Sequence, residues 1–456
     1  MKIIAIPLLF TLILSASDIS VSNSLTLDEA INILKNENLE IKAAQLDIKA
    51  AKADVDAATG NNWGKLDFQY NIARSNDAGN VFGFKLASRE ATFGDFGFGD
   101  PNMPAFGTPG FLVTPPDSLN YPDARNFFQA KLKYEVPLFT GYMLSGYTNI
   151  MNAMSKMKTL EKEQLVNEKI YQIKKSFYDM ALLQNSTTNL RSILNNIKTL
   201  ETMTKNMIDV GYAKKVDLLE VQAKKGNVER LINQMHSNET LLYHYISFLL
   251  NKQITHITPP KNHAPMPLYT NQEIVESNLD VKRASTGLTI REEMVGVSEA
   301  AYYPTVGAFA EVSTADDSFM GAGRQHKGYT IGARLNWNFF NGGIDSAQIE
   351  KSKIEHLKTK TQVELARQGI ILKVSKIKTE INTFDMEIAS LKKELLLANE
   401  IYANYEGRYR EKLSSMSDVI IKQSEQIQKI LQLQMAHNKR NERIFALEKL
   451  ANGENR

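Results

Sequence analysis

There is no cysteine among the 456 residues. That absence excludes disulfide staples, thiolate metal sites, a cysteine nucleophile and the lipidated cysteine of a lipoprotein anchor. The seven histidines, at 236, 244, 256, 263, 326, 356 and 437, never form a helical i, i+4 pair. No metal motif results, and surface or packed histidines are the expectation. A formal net charge of +3 is too near balance to indicate a nucleic-acid partner. After the N-terminus no stretch of 18 apolar residues occurs, so a transmembrane helix is not expected. The glycine-rich stretches "GAGRQHKG" and "FGDFGFGD" do not lie between a strand and a helix start with phosphate-binding spacing. They read as hairpin loops. With no nucleophile, base and orienting group in view, neither enzyme chemistry nor a cofactor is expected.

What is present begins with "MKIIAIPLLFTLILSAS", a charged start, an apolar run and small residues near Ser17. Residues 1–17 read as an export signal. A buried N-terminal helix or anchor is the alternative, though the run is too short to span a bilayer. An exported chain without a membrane helix is either soluble outside the cytoplasm or crosses a membrane as strands.

The chain repeats itself. "LKYEVPLFTG" (Leu132 to Gly141) is answered 201 residues later by "ARLNWNFFNG" (Ala333 to Gly342), and Asp217 in "VDLLEVQ" by Asp418 in "SDVIIKQ". "NLEIKAA" at Asn38 is answered by "NLDVKRA" at Asn278, now 240 apart, so the first half holds about 39 extra residues. They fall in a Gly-, Pro- and Phe-rich stretch at about 76–122. Two repeats are expected, 18–260 and 261–456, each of helix, two strands and a long helical hairpin. The proline-rich "THITPPKNHAPMPLYTN" joins them.

Four segments alternate with period two over nine or more residues: "KLDFQYNIAR", "FFQAKLKYEVPLF", "TVGAFAEVS" and "GYTIGARLNWNFF". That length suits a strand crossing an outer membrane, apolar to lipid and polar to a lumen. A soluble sandwich strand is usually only about five or six residues long. The long helices carry a heptad seam. Val374, Ile377, Ile381, Phe384, Ile388, Leu391, Leu395, Ala398, Tyr402, Tyr405 and Tyr409 step by 3 and 4 without a miss. Shifted back by 201, the seam runs from Ile173 to Ile208 with Ser176, Thr187, Glu201 and Thr204 among its members. Each helix should run about 65 residues, roughly 100 Å.

Four strands cannot close a barrel, which needs about eight, and bare edges cannot face lipid. Other copies of the chain must complete the sheet; two would give eight strands and three would give twelve. The duplication, the strand ends "VPLFTG" and "WNFFNG", and the tips "VGYAKKVDLLEVQA" and "YREKLSSMSDVIIKQ" together resemble the TolC-type outer-membrane efflux proteins. The resemblance implies a mixed α/β membrane protein: a homotrimer with a twelve-stranded barrel, four strands per protomer, continued by a coiled-coil helical tunnel through the periplasm. It implies a passive exit duct that docks on a periplasmic adaptor and an inner-membrane pump of the RND or ABC type, for efflux or type I secretion.

By the same resemblance the hairpin tips close the tunnel, and Asp217, Tyr409 and Asp418 fall at that entrance. For the aspartates a helix cap beside the macrodipole is the competing role; for Tyr409 it is simply the last seam position. Departures are visible: Ser414 stands where the family's best-known member carries an arginine, Ile421 replaces an acid, and Lys412 replaces a glycine. A closed state held less by charge and a weaker cation preference follow. Val210, Gly211, Tyr212, Leu413 and Ser414 are where adaptor hairpins would dock, although Gly211 also suits a helix C-terminus. Tyr134, Trp337 and Phe340 suit an interfacial aromatic girdle. The phenylalanines of the insertion could cap the mouth, pack between protomers or sit in a loose loop. The rival reading is a periplasmic coiled-coil structural or adaptor protein without a pore, which has no use for four long alternating strands.

Overall fold

The computed structural model describes residues 24–453 apart from 262, 320 and 322–325. The expected signal, 1–17, lies outside the described residues, as does the centre of "GAGRQHKG". One order of elements occurs twice. First come α1 (Leu27–Glu37), α2 (Leu39–Gly60), β1 (Lys65–Ser75), β2 (Arg125–Phe139), α5 (Met143–Asp209) and α6 (Lys215–Leu250). Then come α7 (Asn271–Ser277), α8 (Leu279–Glu299), β3 (Thr305–Asp316), β4 (Lys327–Asn336), α9 (Ile344–Arg410) and α10 (Met416–Leu450). Two helices without counterparts, α3 (Ala78–Ala87) and α4 (Asp117–Asn120), occupy the extra segment. Both long helices have 67 residues. The chain forms two compact units, and each takes segments from both halves of the sequence.

One unit comprises residues 43–164 and 271–372 and holds the sheet. Its strands lie in the order β1-β2-β3-β4, antiparallel throughout. The period-two pattern sorts onto two faces. Lys131 bonds Glu311 across strands at 2.9 Å, which places those odd-numbered polar residues on one face. The other face is apolar and bare: Leu66, Phe68, Ile72, Tyr329 and Ile331 are between 65 and 79% exposed. No described helix is long and apolar enough to cross a membrane.

β4 ends at Asn336, short of the expected Phe340. Its partner β3 begins at Thr305, paired to Asn336, after Pro304 and a 3₁₀ turn at Ala300–Tyr302. Nothing remains for Trp337 to Phe340 to pair with. The two punctuating glycines also differ. Both are left-handed, Gly141 at φ 61° and Gly342 at φ 56°. A Cβ on Gly141 would meet the Ala300 carbonyl oxygen and Tyr303 Cβ at 2.8 Å, whereas around Gly342 there is open space. Gly342→Ala should therefore cost only the left-handed penalty of about 1–2 kcal/mol, and Gly141→Ala clearly more. Urea midpoints of the two variants measure the difference.

The insertion is packed, not loose. Phe84 of α3 stacks on Phe127 of β2 at 4.2 Å, Phe82 meets Phe96 edge-on at 4.9 Å, and Phe98, Phe106 and Phe111 form a second cluster. Phe127 is an odd-numbered residue of β2, so α3 lies against the polar face at the end of the sheet away from the long helices. Ion pairs Lys85–Asp95 and Arg125–Glu90 pin the segment. Glu90, Asp316 and His326 come together here, the one such grouping among the described residues; Arg125 already answers the Glu90 charge.

Among the described residues the other unit comprises 24–42, 165–270 and 373–453. Along α9 every expected seam residue from Val374 to Tyr409 is buried or half-buried, and the same holds on α5 from Ile173 to Ile208. Three of the polar members are bonded within the structure: Ser176 to the Gln172 carbonyl at 2.9 Å, Thr204 to the Leu200 carbonyl at 2.8 Å, and Glu201 to Lys205 and Lys225 at 3.0 Å each. One apolar cluster gathers Ile173, Phe177 and Met180 with Ala30 and Leu34 of α1 and Ile246, Leu249 and Leu250 of α6. A second joins both hairpins, Leu190 to Leu200, Val221 and Val228 meeting Tyr402, Tyr409, Met416 and Val419.

Candidate functional site

The hairpin tips are built alike. In each, the long helix ends in a Schellman turn that satisfies its last carbonyls. Tyr212 N–H donates to Met207 at 2.7 Å and Gly211 N–H to Ile208 at 2.9 Å; Leu413 donates to Arg408 at 2.8 Å and Lys412 to Tyr409 at 2.9 Å. The turn needs one left-handed residue, supplied by Gly211 (φ 78°) in the first tip and by Lys412 (φ 66°) in the second. A lysine there costs roughly 1–2 kcal/mol. Its side chain recovers part of this. Lys412 Nζ lies 3.3 Å from the centre of the Tyr212 ring, a cation–π contact between the two tips.

The aspartates serve their own helices. Asp217 accepts the Lys214 N–H at 2.7 Å, and Asp418 accepts the Ser415 hydroxyl at 2.7 Å and its N–H at 3.2 Å. The Ser415 bonds hold the Asp418 carboxyl below the usual carboxylate range. Tyr409 is buried between the hairpins, its hydroxyl 3.4 Å from Thr204 Oγ1. Burial first, and then the nearby Asp217 charge, raise its phenol above the ordinary tyrosine value. The three residues expected at the entrance thus lie close to one tip region, and the contacts that join the hairpins there include Tyr409–Thr204, Lys412–Tyr212 and Lys224–Ser424, whereas each aspartate bonds within its own tip. Val210, Tyr212 and Leu413 are 64–69% exposed. Ser414 reaches Asp418 at 3.4 Å.

The residues expected in a girdle stand where the strands meet the helices. Tyr134 donates to the Trp63 carbonyl at 2.7 Å, and Trp337 Nε1 to the Tyr302 carbonyl at 3.2 Å; Phe340 is 83% exposed. Trp63, Tyr142, Tyr302 and Tyr303 join them, and Phe139, Tyr142 and Tyr303 meet edge-on. Sequence reasoning missed these four because they lie just outside the alternating runs. Lys412 was noted only as a missing glycine; its contact with Tyr212, 200 residues away, leaves no local pattern.

The sheet with its bare apolar face is carried by a chain that also makes two 67-residue helices. Residues 271–453 match the family model described as outer membrane efflux protein, so the resemblance read from the strand ends and tips holds. No curated protein matches the chain by sequence. Solved structures share the fold at low identity. CusC, studied for its folding and transmembrane channel formation, aligns with a TM-score of 0.77 at 12% identity over 93% of this chain and 91% of its own. VceC of Vibrio cholerae, an outer membrane protein, gives 0.74 at 13% over 93% and 96%. The open-state outer membrane channel MtrE of Neisseria gonorrhoeae gives 0.73 at 13% over 93% and 88%.

Proposed function

We propose that the protein is the outer-membrane channel of a tripartite efflux or type I secretion system. Three copies close a twelve-stranded barrel in the outer membrane, and their helical hairpins continue it as a periplasmic tunnel. It is a passive conduit for small molecules or proteins, fed by an inner-membrane RND or ABC-type pump through a periplasmic adaptor. The observation that carries this reading is the bare apolar face between two open strand edges, β1 and β4. Unpaired edges in lipid would cost several kcal/mol per backbone group, so neighbouring copies must pair them. A pore-free coiled-coil protein leaves that face without a purpose.

Tyr409, Asp217 and Asp418 line the periplasmic entrance, and Val210, Gly211, Tyr212, Leu413 and Ser414 receive the adaptor. Both aspartates cap helices at the mouth, and the Lys412 charge carried by the same tips dilutes their field. Purified protein in planar bilayers should show a weakly cation-selective pore. Asp217→Asn combined with Asp418→Asn should reduce that preference and raise conductance. Unchanged selectivity would remove the aspartates from the entrance. A water-soluble monomer giving no current would remove the channel altogether.

A further inference from the structure

The polar face of the sheet is not uniform. Two rungs at its helix-side end are set by strand register. Lys65, Glu135, Phe309 and Gly332 make one, and Gly307 with Arg334 begins the next. Phe309 is the aromatic residue of β3 on this face, and it is half-buried. A Cβ on Gly332 would come within 2.7 Å of Phe309 Cζ, so the outer end of the ring reaches over the glycine of the neighbouring strand. The Arg334 guanidinium carbon sits 5.9 Å from that ring's centre.

Charge on the face is unevenly matched. Glu311 is bonded to Lys131 at 2.9 Å and Glu135 to Lys133 at 2.6 Å. Asp67 lies one rung further on, opposite Lys133. Among the described residues no ion pair engages Lys65 or Arg334. A recess of about 480 Å³ opens there, bordered by Lys65, Glu135, Phe309, Arg334 and Asn336. It offers an aromatic ring, a planar guanidinium able to hold a carboxylate through two parallel bonds, and a second cation. Those are complementary features of one ligand class.

We infer that this recess is an acceptance site for flat organic anions, an aromatic ring bearing a carboxylate, which rest there on their way through the bore. As a statement about cargo it depends on the channel reading above; as a binding site it lies within one sheet. The probe is 2-naphthoate, titrated by its fluorescence against the full-length protein in detergent, with current block in planar bilayers measured in parallel. Arg334→Gln should weaken binding about tenfold, Arg334→Lys less, and Phe309→Leu and Lys65→Gln several-fold. Uncharged 2-naphthamide should bind at least tenfold more weakly than the acid. Equal affinity of acid and amide, or of wild type and all the variants, would overturn the site whether or not current flows. Arg334-dependent binding with no current would leave the site standing and remove the conduit.

Discussion

Phe68→Arg should abolish recovery of a heat-modifiable oligomer from the outer membrane. Phe68 lies on the apolar face of β1, opposite Leu132, and is 68% exposed. An arginine near the middle of a lipid-facing strand costs about 2–4 kcal/mol in a membrane barrel. In a closed ring of three copies the cost recurs three times. The comparison that makes the result decisive is Asn71→Arg, the same side chain three positions along and on the opposite face. Asn71 bonds only the Gln129 amide at 3.2 Å, so that variant loses about 1 kcal/mol at most and should still assemble. In a water-soluble rod the signs would reverse: removing an exposed phenylalanine would improve solubility and leave the fold alone. Equal assembly of the two variants would therefore contradict a lipid-facing sheet.

The features legible in the sequence were those whose physical cause is local. Heptad spacing is a property of one helix, and every expected seam position from Val374 to Tyr409 and from Ile173 to Ile208 is at least half-buried. The strand faces were legible for the same reason, since alternation is set by the backbone's period of two. Ends were less so. Whether Trp337 to Phe340 extend β4 depends on where β3 starts, and Pro304 decides that from more than thirty residues away. The insertion was opaque because its order comes from ring contacts such as Phe84 on Phe127, between segments with no periodicity of their own. At the tips, the caps made by Asp217 and Asp418 were readable as local chemistry; the Lys412–Tyr212 contact was not, because it joins two turns from different repeats. Alternation alone places Phe309 on the same side of its strand as Glu311. That it lies over Gly332 and near Arg334 follows only from the β3–β4 register.

Phe177→Ala should be the most damaging truncation in the helical unit, and its counterpart in the second repeat explains why. Phe177 has no exposed surface and packs in the cluster that holds Ala30 and Leu34 of α1 against Ile246 and Leu249 of α6. Removing a buried phenyl ring from such a site costs about 3–5 kcal/mol through lost transfer energy and the cavity left behind. The position 201 residues on is Lys378, which reaches out to the Tyr269 carbonyl at 3.1 Å. One repeat thus uses this seam-flanking position to anchor α1, and the other uses it to tie down the strap between α6 and α7. Lys378→Ala removes a charge-assisted hydrogen bond of about 1.5–3 kcal/mol. Urea midpoints should fall further for Phe177→Ala than for Lys378→Ala. Proteolysis should discriminate by place as well as by rate: the first variant frees α1 along with Ile257 of the strap, which packs in the same cluster, whereas the second loosens only the segment around Tyr269. If both variants became sensitive at the same site, the division of labour between the two repeats would be wrong.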